Sequence, residues 1–181
     1  MSDPMSEFKA SEKEKDKSLI QSLRSGNQTA IVSALKDIRI SGKLFFLTEI
    51  FDLLVDQENE EIYLEAVSLL NDLKNKEAVP IVAEAIKNPE YETIRQELVA
   101  SCWQSGLSYS KHIATFIDVA SQGNYAIALE AFTVIEDAIG DLDPEELSRY
   151  IDSLKNEILT ADTNKQMLLR ELIRVMETYH K

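Results

Sequence analysis

The sequence predicts an all-α fold, an array of about four stacked helix pairs with a capping helix at each end. Three observations carry that expectation. A helix-sized apolar pattern starting at Ala30 recurs at Ile62, Ile94 and Ile127, spacings of 32, 32 and 33 residues, and self-similarity at such a period marks a repeated helical unit. The register holds inside each unit: Ala34, Ala66, Leu98 and Ala131 are followed by Leu35, Val67, Val99 and Phe132, then by Ile38, Leu70, Cys102 and Ile135. Only 5 Gly and 4 Pro interrupt the 181 residues, and no period-two run demands a strand.

Residues 1–15 are polar, charge-mixed and nearly free of large apolar groups, so they read as a flexible tail before a single domain spanning 16–181. Leu19, Ile20 and Leu23 sit at helical spacing and cover the N-terminal end of the array. Ser25-Gly26-Asn27 then stops one helix and starts the next. The first pair runs over 28–40 and 44–55, turning at Ser41-Gly42; the second runs over 60–73 and 77–87, turning at Lys74-Asn75. The third runs over 91–104 and 110–121 around Ser105-Gly106. The fourth runs over 125–139, turns at Gly140 and restarts after Asp143-Pro144. That restart carries an N-cap Asp143, a Pro at the first helical position and Glu146 three residues beyond the cap.

The second helices align as well. Leu47, Val79, Ile113 and Leu147 form one column, Ile50, Val82, Phe116 and Tyr150 the next, and Leu54, Ile86, Ala120 and Leu154 a third. Apolar stripes on both helices of a pair require neighbouring pairs to stack. Met167, Leu168, Leu172, Ile173 and Met176 form a last amphipathic stripe that closes the C-terminal end.

Formal net charge is −13, with the excess of acid downstream of residue 25. A body of that sign repels phosphate backbones and anionic lipid, so the expectation is no nucleic-acid and no membrane partner, and a preference for basic segments. One cysteine permits no intrachain disulfide, no apolar run approaches a membrane span, and the N-terminus lacks the apolar core of a secretory signal. The default compartment is the cytoplasm.

Residues 80–102 resemble the HEAT repeat family. Pro80 opens an apolar second helix, Asn88 stands where that family often has Asp, and Ile94-Arg95 with Leu98 matches the valine-arginine start of its next first helix. Ile62, Ala66, Leu70 and Leu73 followed by Ala78-Val79-Pro80 fit the preceding unit. Arg95 has no basic counterpart at Tyr63 or Ala128, and Pro80 has none in other units. The resemblance implies a right-handed α-α superhelix whose second helices line a concave side that commonly binds protein.

Chemistry is sparse. Cys102 shares a column with Ile38, Leu70 and Ile135, which reads as a small buried hydrophobe rather than a nucleophile; His112 and His180 offer no dyad. No metal-ligand spacing and no cofactor motif is present, and the Asp141–Glu146 carboxylates are explained by capping. The one repeated constellation is acidic. With Ile50 facing the core, Asp52 lies about 200° round the helix, and its register mates are Glu84, Asp118 and Asp152. This column is either an acidic ladder for a partner or a solvated face. Phe45 and Glu49 share the outward direction; Phe45 is either an aromatic anchor beside the acids or packed under the N-terminal helix. Trp103, in a column otherwise polar, is either a second anchor or covered by 104–110. The expected function is a non-enzymatic scaffold holding a basic or mixed-charge protein segment along this face. The rivals are an enzyme or accessory subunit with a small-molecule pocket in the concavity, and self-association through an end helix.

Overall fold

The structure, a computed structural model, describes residues 4–179, and for residues 4–8 the backbone alone. Among the described residues there are ten α-helices, three short 3-10 turns and no strand. The chain divides into two compact units, Met1–Leu69 and Leu70–Lys181, where the sequence alone suggests one domain over 16–181.

In the first unit α1 (Pro4–Leu23) packs on α2 (Gln28–Ser41) and α3 (Phe46–Val55), and α4 (Glu60–Asn71) follows, its last residues falling past the unit's end at Leu69. Helix begins at Pro4, inside the stretch read as a tail. Lys, Ala and Glu there are good helix formers, although residues 9–15 bury no side chain. The Lys43 ammonium ties the helix down from below, 2.8 Å from the Asp16 carboxylate and 3.7 Å from that of Glu12. Leu19 and Leu23 are the apolar anchors. Asn27 caps α2 by accepting from the Ala30 N–H at 3.0 Å. The helix ends at Gly42, whose φ of 61° is left-handed and whose N–H closes on the Ile38 carbonyl. Arg39 links α2 to α4 through Glu65 and Ser68, each at 3.1 Å.

The second unit contains α5 (Ala78–Lys87), α6 (Arg95–Ser105), α7 (Ile113–Gln122), α8 (Tyr125–Ala138), α9 (Pro144–Glu157) and α10 (Thr163–Tyr179). Alternate helices form two rows: α5 packs on α7 and α7 on α9, while α6 packs on α8 and α8 on α10. The repeat register explains the pattern, because most of the expected column positions are buried; of Leu35, Val67, Val99 and Phe132, however, Val67 and Phe132 are only half-buried. Ala34, Ala66, Leu98 and Ala131 are all buried, as are Ile38, Leu70, Cys102 and Ile135, and Leu54, Ile86, Ala120 and Leu154. Tyr150 also departs from its column, half-buried where Ile50, Val82 and Phe116 are fully covered.

The helix expected over 91–104 is broken. Residues Pro89–Ile94 form a 3-10 turn in which Tyr91 has φ −103° and ψ 20°, and α6 starts only at Arg95. Asn88 accepts from the Glu90 N–H at 3.0 Å and Pro89 fixes the first turn, so a local cap captures the backbone before the α-helix can extend upstream. Asp143 performs its expected N-cap role, accepting from Glu146 N–H at 2.8 Å, with Pro144 first in the helix.

Helix C-termini in this unit are closed by cations from other elements. Lys74 donates to the Ser105 carbonyl at 2.7 Å, and Arg95 Nε donates to the Ile86 carbonyl at 3.0 Å. Lys165, itself buried on α10, donates to the Ser121 carbonyl and, at 2.8 Å, to that of Gly123. These carbonyls lack intrahelical donors and carry the negative end of the helix dipole, so a cation is their natural partner. Gly123 has an extended backbone, φ −67° and ψ 168°, that any residue could adopt, but no room: a Cβ there would lie 2.6 Å from the Val119 carbonyl oxygen and 2.9 Å from Ile127 Cγ2.

Two outcomes follow for stability. Leu98→Asp places an unpaired carboxylate in a fully buried column and should cost about 4 kcal/mol or more in urea unfolding; an unchanged midpoint would place Leu98 outside the core. Lys165→Met keeps the stem and deletes two charge-assisted hydrogen bonds, for an expected loss of about 2 to 3 kcal/mol. An unaltered unfolding curve would mean that water serves those carbonyls equally well.

Candidate partner-binding face

The repeated carboxylates sit where helical geometry aims them. Glu84 on α5, Asp118 on α7 and Asp152 on α9 are exposed, each on a successive helix of one packed row. Asp52 is exposed at the equivalent register of α3, in the first unit. The side chains between them point inward: Val82, Ala83, Ala85 and Ile86 on α5, and Phe116, Ile117 and Ala120 on α7, are all buried. Glu84 has a local partner, the Lys87 ammonium at 2.5 Å one turn on. Asp118 lies near enough to Tyr150 on α9 to affect it: burial pushes the Tyr150 hydroxyl up, and Glu146 and Asp118 add to the shift by charge.

The other residues singled out by sequence have surroundings of their own. Glu49 is half-buried and engaged with Arg24 in a bidentate pair, at 2.6 and 2.9 Å. Phe45 is 53% exposed and rests against the Phe46 ring, centroids 4.2 Å apart. Trp103 lies on α6, in the opposite row, with 39% of its surface exposed and its indole N–H donating to the Glu130 carboxylate of α8 at 2.8 Å. It borders a shallow cavity of about 250 Å³ shared with Leu107, Tyr109 and Asp137.

Cys102 also lines that cavity. It is fully buried, its thiol donates to the Leu98 carbonyl at 3.2 Å, and burial pushes it up to about 12 against weaker opposing hydrogen bonds from Tyr109 and Ser101. The Tyr109 hydroxyl is likewise pushed up, by burial first and by its contact with Cys102. A thiol so held is not a nucleophile at neutral pH. His112 closes the 3-10 turn Ser110–His112 and is half-buried, while His180 lies outside the described residues. Among the described residues no group of three or more His, Cys, Asp or Glu forms a metal site, and no helix is long and apolar enough to cross a membrane.

Sequence reasoning missed the cations. Lys165, Arg95 and Lys74 form no column of repeated basic residues, and their acceptors are backbone carbonyls that no side-chain pattern reveals. The faint signal available was positional: Arg95 departs from the residues aligned with it, and Lys165 lies inside an amphipathic stripe. Compared with known proteins, the chain matches no family model and no curated protein sequence.

The buried thiol has a definite pH signature. Its folded value is raised from 9.0 to about 12, so its contribution to stability is complete below about 9 and is lost as pH climbs towards 12. The unfolding midpoint should fall across that window and fall less in Cys102→Ala. At pH 8, iodoacetamide should label Cys102 only in denaturant; rapid labelling of folded protein would show the thiol to be accessible.

Proposed function

We propose that this chain is a non-enzymatic protein-binding module, a right-handed α-α superhelix of HEAT-like pairs that holds a basic or mixed-charge segment of another protein along its acidic second helices. The observation that carries the reading is the row of Glu84, Asp118 and Asp152, exposed on three successive packed helices at one register, with Asp52 at the same register of α3. The net charge of −13 favours such a partner over nucleic acid or anionic lipid. A cytoplasmic setting accords with the lone buried thiol. The buried state of that thiol leaves the chain without an activated cysteine nucleophile, in keeping with a binding role.

Carboxylates spaced along a row act by steering and by addition. Each exposed ion pair is worth about 0 to 1 kcal/mol, so a partner must engage several at once, and affinity then grows with the number engaged simultaneously. Peptides selected from a random display library on the wild-type protein should be enriched in Lys and Arg. Replacing Asp52, Glu84, Asp118 and Asp152 by their amides should weaken those peptides by about tenfold or more at low salt. The difference should shrink at high salt, where charges on an open face are screened within about 8 Å. Equal affinity of the folded amide variant at both salt concentrations would reduce the row to a solvated surface.

A further inference from the structure

One cleft of the second unit lies against the acidic row and differs from it in charge. It has a volume of about 580 Å³, inside the roughly 300 to 1,000 Å³ range of specific binding clefts. Its walls are the end of α5, the 3-10 turn that follows, the start of α6, and the end of α7 with its turn into α8. Asp118, from the row, lines it; so do Arg95, Glu92, Gln122 and Asn124.

Arg95 sets the chemistry. Its Nε donates to the Ile86 carbonyl, which orients the guanidinium and leaves the two terminal nitrogens without a partner among the described residues. The cleft's other cation, Lys87, is paired with Glu84. Neither Asp118 nor Glu92 forms an ion pair with Arg95. A half-buried planar fork, held from behind by a carbonyl, is pre-organised to take a carboxylate through two parallel N–H donors. A phosphate suits the cleft less well, because Asp118 and Glu92 would repel its second charge.

We infer that this cleft reads the partner segment as mixed-charge rather than simply basic: an acidic side chain seats on the Arg95 guanidinium while a neighbouring lysine or arginine reaches Asp118. The inference rests on the acidic row being a protein-binding face and names what that face selects. It assigns Arg95 two roles, closing α5 through Nε and recognising a carboxylate through its terminal nitrogens. Gln122 and the side-chain amide nitrogen of Asn124, whose oxygen caps α8 by accepting from the Ile127 N–H at 3.0 Å, supply neutral hydrogen-bonding groups for the segment's backbone.

The test uses synthetic lysine-rich peptides with blocked ends, each carrying a single glutamate at a varied position, and a twin series with glutamine in its place. Binding to the full chain is read by fluorescence anisotropy. A protein this acidic should by overall charge prefer the glutamine twin; the inference requires the reverse, with at least one glutamate peptide bound about three- to tenfold more tightly than its twin. Arg95→Gln should abolish that preference and, by removing a cation that repels lysine-rich chains, should tighten binding of the glutamine twin, while Arg95→Lys, which loses the planar fork, should retain the preference only in part. Because the glutamate-to-glutamine comparison is made on wild-type protein, it stands even if the Arg95 variants fold poorly. If both series bind equally, or glutamine binds better, at every position, the inference is overturned while the acidic-row reading survives. If neither series binds above a high-salt control, both fall.

Discussion

Short helices must be held by their neighbours, and that constraint governs the rest of this molecule. Helices α2 to α9 are between 10 and 14 residues long, lengths at which an isolated helix is marginal in water. Their stability therefore comes from the apolar columns: Leu35, Leu70, Leu98, Ile135, Ile50, Ile86 and Leu154 lose all contact with solvent. Because a column is defined by register, each helix has one inward face and its opposite face is committed to water. The acidic row is a consequence of that commitment before it is anything else.

A chain with 32 acidic and 19 basic side chains has few cations to distribute, and several of them serve backbone carbonyls rather than surface acids. Arg95, Lys74 and Lys165 each close the C-terminus of a helix they do not belong to, so one contact both satisfies orphan acceptors and fixes one element against another. Lys165 is the extreme case, a buried ammonium spanning the α7–α8 turn beside Gly123, a residue whose carbonyl must face it and whose side of the turn has no room for a Cβ. Cations spent in this way leave Asp118 and Asp152 on the second unit's exposed helices to solvent or to a partner.

Most of the helix pattern was legible because it depends on local chemistry and on a repeated period. Asn27, Gly42, Gly106 and Asp143 mark helix boundaries where the backbone observes them, and the columns expected to be buried are buried, apart from half-covered positions such as Tyr150. The failures were contests between local signals. Around Tyr91 the apolar period favoured one helix, but the Asn88 cap and Pro89 imposed a separate 3-10 turn. At the N-terminus, low apolar content suggested a tail, while helix propensity and the Lys43 contacts with Asp16 and Glu12 carry the helix back to Pro4. The candidate face was legible only as an angular direction. That Glu49 would be taken by Arg24, or Trp103 by Glu130, depends on pairings 25 and 27 residues apart in sequence, and no periodicity encodes them.

The position of Asp118 ties these threads together. Its carboxylate belongs to the exposed acidic row, borders Tyr150 on the next helix, and forms part of the cleft that Arg95 enters from the start of α6. A purely acidic row would attract any cationic chain with little discrimination, since screened charges act at a distance and without fixed geometry. An oriented guanidinium beside one of those acids changes the character of the surface: it penalises a segment that is basic at every position and favours one that alternates in sign. Specificity of this kind needs an unfavourable element for the wrong partner as well as an attraction for the right one, and in the proposed role Arg95 would supply that element at the point where its Nε already closes α5.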